Sequence, residues 1–66
     1  MEKPRFFFVE YNGTFIARYK TIRGALGFIS KKKLKDDYDN SLNIFDNNGE
    51  MYDTISGKHI EGSYLK

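Results

Sequence analysis

Arg5-Phe6-Phe7-Phe8-Val9-Glu10-Tyr11-Asn12-Gly13-Thr14-Phe15-Ile16-Ala17-Arg18-Tyr19-Lys20-Thr21 is the stretch that decides the fold. Asn12-Gly13 supplies the two positive-φ residues that a two-residue hairpin turn needs. The flanks, Arg5–Tyr11 and Thr14–Thr21, are rich in aromatic and β-branched residues and read as paired strands. A two-residue loop sets Tyr11 opposite Thr14, Val9 opposite Ile16 and Phe7 opposite Arg18. One face then carries Phe6, Phe8, Glu10, Phe15, Ala17 and Tyr19. The other carries Arg5, Phe7, Val9, Tyr11, Ile16, Arg18 and Lys20. The first face is nearly all apolar and is assigned to the core, and the second is left open.

Downstream, Thr21 can cap a helix through its side-chain oxygen. Ile22, Ala25, Leu26 and Ile29 follow at helical spacing and make one apolar stripe, which Phe28 widens. Lys31-Lys32-Lys33 stands where cations favour the negative end of the helix dipole. Residues 35–40 are polar and read as a loop. A second hairpin follows, with Leu42–Phe45 and Met51–Ile55 flanking Asp46-Asn47-Asn48-Gly49-Glu50. Its turn is either two residues, Asn48-Gly49, or three with Gly49 as a bulge. These choices differ by one register step, so the faces of this hairpin stay open. Ser56-Gly57 turns the chain, and Ile60, Tyr64 and Leu65 are candidate anchors of the tail.

The expected fold is therefore α+β, ββαββ, with residues 1–66 as one small domain. A right-handed crossover sets strand 3 parallel to strand 2. Strand 1, the most apolar, fits between them. The result is a mainly antiparallel four-stranded sheet of order 2-1-3-4, with the helix on one face.

Charge is divided along the chain. Residues 1–35 hold nine basic and two acidic side chains, and residues 36–66 hold two basic and seven acidic. The halves carry +7 and −5, which give the net +2. Such a molecule is expected to bind by one end or to associate head to tail. There is no cysteine and one histidine in the 66 residues, which argues against thiolate chemistry and against a zinc site built by this chain alone. Six Phe and five Tyr supply the apolar mass instead. The longest apolar run, Phe6–Val9, is too short for a signal peptide or a membrane span, so a cytoplasmic protein is expected. The composition, rich in Lys, Asn, Asp, Phe and Tyr, is of a kind met among small bacteriophage and mobile-element proteins.

No catalytic constellation stands out. His59 is the only candidate general base near neutrality, and Ser56 and Ser63 lie near it without a third group or an oxyanion-hole motif. Gly24-Ala25-Leu26-Gly27 has the spacing of a nucleic-acid GxxG clamp but lies inside one helix with apolar middle residues. The two glycines are better explained by close approach of the helix to aromatic side chains of the sheet. Asp36, Asp37 and Asp39, and the Asp46–Glu50 turn, lack the glycine of a calcium loop at the required place. No cofactor and no metal are expected, and no enzymatic activity.

Binding is the expected function. On the open face, Phe7, Val9, Tyr11, Ile16 and Arg18 form an apolar patch with a basic rim, and Asp36, Asp37 and Asp39 form a separate acidic edge. This pattern suits a protein-binding adaptor or inhibitor, with a homodimer or higher oligomer expected in solution. The alternative is nucleic-acid binding by the basic half, with Arg5, Arg18, Lys20, Arg23, Lys31, Lys32, Lys33 and Lys35 on phosphates. The sequence pI of about 8.9 and the acidic half count against it.

Overall fold

The computed structural model describes residues 3–60 of the chain. β1 (Phe7–Tyr11) and β2 (Thr14–Tyr19) make the first hairpin, α1 (Ile22–Lys32) follows, and β3 (Leu42–Asp46) and β4 (Met51–Tyr52) make the second. They form a four-stranded sheet of order β2-β1-β3-β4. Neighbours are antiparallel throughout, so β2 and β3 run in the same direction, as expected.

Local chemistry explains the elements. Asn12 and Gly13 turn the first hairpin with φ of 52° and 85°. Asn12 also ties this turn to the approach of β3. Its backbone N–H donates to the Ser41 carbonyl at 2.8 Å, and its Oδ1 accepts the Ser41 N–H at 2.8 Å. Thr21 caps α1, its hydroxyl oxygen accepting the Gly24 N–H at 3.0 Å. The helix ends at Lys33, which adopts a left-handed conformation. In the second hairpin Phe45 pairs with Met51, and Asp46 bonds Glu50. The loop is thus three residues, Asn47-Asn48-Gly49, with Gly49 at φ 83°.

The register of the first hairpin departs from the simple expectation. Tyr11 pairs with Thr14, but Val9 pairs with Ala17 and Phe7 with Tyr19. A bulge at the Val9–Glu10 step puts one extra residue into β2. Beyond it every side chain of β2 changes face relative to an unbulged strand. Ala17 and Tyr19 thereby join Phe7, Val9 and Tyr11 on one face, and Arg18 leaves it. That face becomes mainly apolar, and α1 packs on it.

The core is Val9, Ala25, Ile29, Leu42 and Ile44, with Phe7, Tyr11, Ala17, Tyr19, Ile22, Leu26, Phe28, Leu34 and Tyr52 packed against it. The expected face is therefore reversed for β1 and Phe15, whereas Ala17 and Tyr19 pack against the core as expected. Phe6, Phe8 and Phe15 are not core, whereas Ile29 is buried and Leu26 packs against the core as expected. The role given to the helical glycines holds for one of them. A Cβ on Gly24 would stand 3.0 Å from the Tyr19 ring, but nothing lies within 4 Å of one on Gly27. Gly57 has a stronger requirement, with φ of 78° and a Leu26 methyl 2.8 Å from where its Cβ would be. It brings the segment after β4 onto the helix.

Candidate functional site

The uncovered face of the sheet is aromatic. The pairings place Arg18, Phe8, Phe45 and Met51 in one row across β2, β1, β3 and β4. Phe15, Glu10 and Asn43 form the next row. The rings touch in sequence. Phe6 and Phe8 have centroids 6.5 Å apart, Phe8 and Phe15 5.9 Å, and Phe15 and Phe45 6.1 Å. Edge-to-face geometry at the last two contacts is the favoured arrangement of such rings. The Arg18 guanidinium lies over Phe6, 4.8 Å from its centroid.

Exposure grades across the patch. Phe45 is buried and Phe6 and Phe8 are half-buried, but Phe15 is 60% exposed. Phe8, Phe15 and Phe45 wall an open groove of about 470 Å³ that runs to Asn47 and Gly49 of the second turn. Its one charged neighbour in the Phe15 row, Glu10, accepts a hydrogen bond from Asn43 Nδ2 at 3.0 Å. An exposed ring beside a groove of rings, with an arginine at the rim, is the composition of an interaction hot spot.

The residues expected at the site are distributed differently. Val9 is fully buried, and Phe7 and Tyr11 pack against the core beneath α1, so these three are removed from the open face. The cause is the bulge together with the aliphatic pair Leu42 and Ile44, which completes the apolar surface on that side. Ile16 is 42% exposed, and Arg18 is exposed on the open face.

Asp36, Asp37 and Asp39 lie in the loop before β3, and two of them are engaged locally. Asp36 Oδ1 accepts the Leu42 N–H at 3.2 Å. Asp37 Oδ1 accepts the N–H groups of Asp39 and Asn40 at 3.0 and 2.9 Å. These carboxylates shape the entry to β3. Among the described residues, no group of His, Cys, Asp and Glu side chains could hold a metal ion.

The basic residues do not converge. Arg5, Arg18, Lys20, Arg23, Lys31, Lys32, Lys33 and Lys35 are all exposed. Arg18 is on the aromatic face, but Lys31, Lys32 and Lys33 are at the end of a helix that covers the opposite face.

A second cluster was not legible in the sequence. Asp46 is 3% exposed. Its Oδ1 accepts the N–H groups of Asn48 at 2.7 Å and Glu50 at 3.1 Å, and its Oδ2 accepts the Tyr52 hydroxyl at 2.7 Å. Buried Glu50 meets His59 Nε2 through its Oε1, and the His59 ring packs edge-on to Tyr52 with centroids 5.4 Å apart. Within the cluster these groups satisfy one another. The cluster is a latch on the second hairpin. Asn47 extends it to β1, because its Oδ1 accepts the N–H groups of Arg5 and Phe6 at 2.6 and 3.1 Å.

The latch has a pH signature. Burial raises the Tyr52 phenol above its ordinary 10.0, and the hydrogen bond to Asp46 and the charges of Asp46 and Glu50 add to this. A folded state that keeps the proton longer than the unfolded state loses stability as pH rises. The contribution is complete below pH 10.0 and declines above it, as the unfolded phenol ionises first. Urea unfolding across alkaline pH should show this decline, and Tyr52→Phe should reduce its slope. An identical slope in the variant would place the alkaline sensitivity elsewhere.

No family model, no curated protein and no solved structure matches the chain. Among the described residues no helix is long and apolar enough to cross a membrane.

Proposed function

We propose that this protein is a non-enzymatic, cytoplasmic protein-binding module, an adaptor or inhibitor that occupies a partner's surface with the uncovered face of its sheet. The observation that carries this reading is the continuous ring cluster Phe6–Phe8–Phe15–Phe45, in which Phe15 is 60% exposed. Phe15, Phe8 and Arg18 are the contacts with the greatest expected weight, because aromatic and arginine side chains over a desolvated pocket dominate binding energies. Nucleic-acid stacking would also use exposed rings. It is less well supported, because the lysine cluster and the rings lie on opposite sides of the sheet.

Purified protein offers this face only a second copy of itself, so self-association at micromolar concentration is expected. Sedimentation over a dilution series should show it, and Phe15→Glu should abolish it with folding intact.

A photo-activatable side chain at position 15, compared with one at exposed Ser30 on α1, tests the function in producing cells. The expected result is a nuclease-insensitive protein adduct from position 15 and none from position 30. Equal labelling from both positions, or an adduct to nucleic acid, would overturn the reading.

A further inference from the structure

A sheet ends in two strands whose outward N–H and C=O groups need partners. The β4 end is closed by the chain itself. Tyr52 is bridged to His59, Ile60 donates to the Met51 carbonyl at 3.0 Å, and Asp53 donates to the Lys58 carbonyl at 2.8 Å. The β2 end is different. Among the described residues β2 pairs with β1 alone, and the strand contains no proline. Its bulge lies toward the turn, and regular pairing holds over Ala17, Arg18 and Tyr19.

The charge at this edge is of one sign. From Thr14 to Lys35 the chain has no Asp or Glu. Arg18, Lys20 and Arg23 are exposed, and no acidic side chain of the described residues forms an ion pair with them. Phe15 and Ile16, at 60% and 42% exposure, give the same edge apolar surface.

We infer that β2 accepts an acidic, extended peptide segment of the partner as an added strand, with carboxylates on the uncovered face beside Arg18 and apolar side chains on its other face beside Ala17 and Tyr19. The inference rests on the protein-binding reading and supplies the partner's chemistry. Strand addition satisfies the open backbone groups, and alternating carboxylates answer Arg18 and Lys20. A second copy donating its own β2 would set Arg18 and Lys20 of the two copies near each other, which is unfavourable. A nucleic-acid backbone carries phosphate charge but no N–H donors for the strand's carbonyls.

The test uses the full chain, nitrogen-labelled, and a capped peptide of alternating Glu and Val, seven residues long. Amide shifts should concentrate in Thr14–Tyr19, and affinity should fall as salt rises. The peptide with Lys in place of Glu should not bind. An Arg18→Glu, Lys20→Glu variant, changed only at exposed positions, should reverse that preference. N-methylation of alternate residues should abolish binding in one phase and spare it in the other, because a strand bonds each neighbour through alternate residues.

Lack of shifts with the acidic peptide, equal binding of the Lys peptide, or indifference to both methylation phases would overturn the inference. So would oligothymidylate shifting the same amides. If the peptide fails while position 15 still yields its protein adduct, the edge is refuted and the aromatic face stands.

Discussion

Ile44→Ala will destabilise the protein by about 2–5 kcal/mol, the range for deleting a large aliphatic side chain from a core that cannot fully collapse. Ile44 is fully buried, pairs with Val9 on β1 and Tyr52 on β4, and belongs to the cluster beneath α1. A domain of this length has roughly 3–5 kcal/mol of stability from its core, so the variant should be largely unfolded at 25 °C. Phe8→Ala provides the contrast. Phe8 is half-buried on the uncovered face, where neighbouring rings can close over the gap, and about 1–2 kcal/mol is expected. Circular dichroism melts of the two variants decide the matter. If Phe8→Ala unfolds the chain and Ile44→Ala does not, the helix covers the other face.

Asp46→Ala is the second large effect, at about 2–4 kcal/mol. It removes the acceptor of the Asn48 and Glu50 N–H groups and of the Tyr52 hydroxyl, and Glu50, among these, is buried. An unsatisfied buried donor costs roughly 1–3 kcal/mol, and bonds to a carboxylate are stronger than neutral ones. Asp46→Asn keeps one acceptor oxygen and should cost less than half as much. Urea midpoints give the ranking, and hydrogen exchange at Asn48 and Glu50 locates the loss. A wild-type midpoint for Asp46→Ala would show that the latch contributes no stability.

The two features most relevant to function were legible to different degrees. An apolar surface left over after one helix covers one sheet face could be read from the strand count and the aromatic content. Its membership could not. Phe45 joins the patch through its pairing with Phe8, and Met51 joins it only when the second turn takes three residues, a length that Asn47-Asn48-Gly49 leaves open. The latch was hidden for a related reason. Asp46, Glu50, Tyr52 and His59 look like turn and tail residues until the strand pairings bring their side chains together.

By itself the sequence determined the elements and their order. Asn12-Gly13, the Thr21 cap, the Ile22–Ile29 stripe and the Gly49 turn act through local sterics and hydrogen bonds, which neighbours along the chain settle. Strand order followed from crossover chirality and from the apolar character of β1 on both faces. Only the tertiary structure decided which face the helix covers. The stretch through β1 offers Phe6 and Phe8, beside Glu10, on one side and Phe7, Val9 and Tyr11 on the other, so large apolar residues stand on both sides and its own pattern leaves the choice open. The choice lies in the bulge, which turns Arg18 outward and Ala17 and Tyr19 inward, and in Leu42 and Ile44 of β3 arriving on the same side. Both depend on pairing between strands distant in sequence, where a shift of one residue exchanges core for surface.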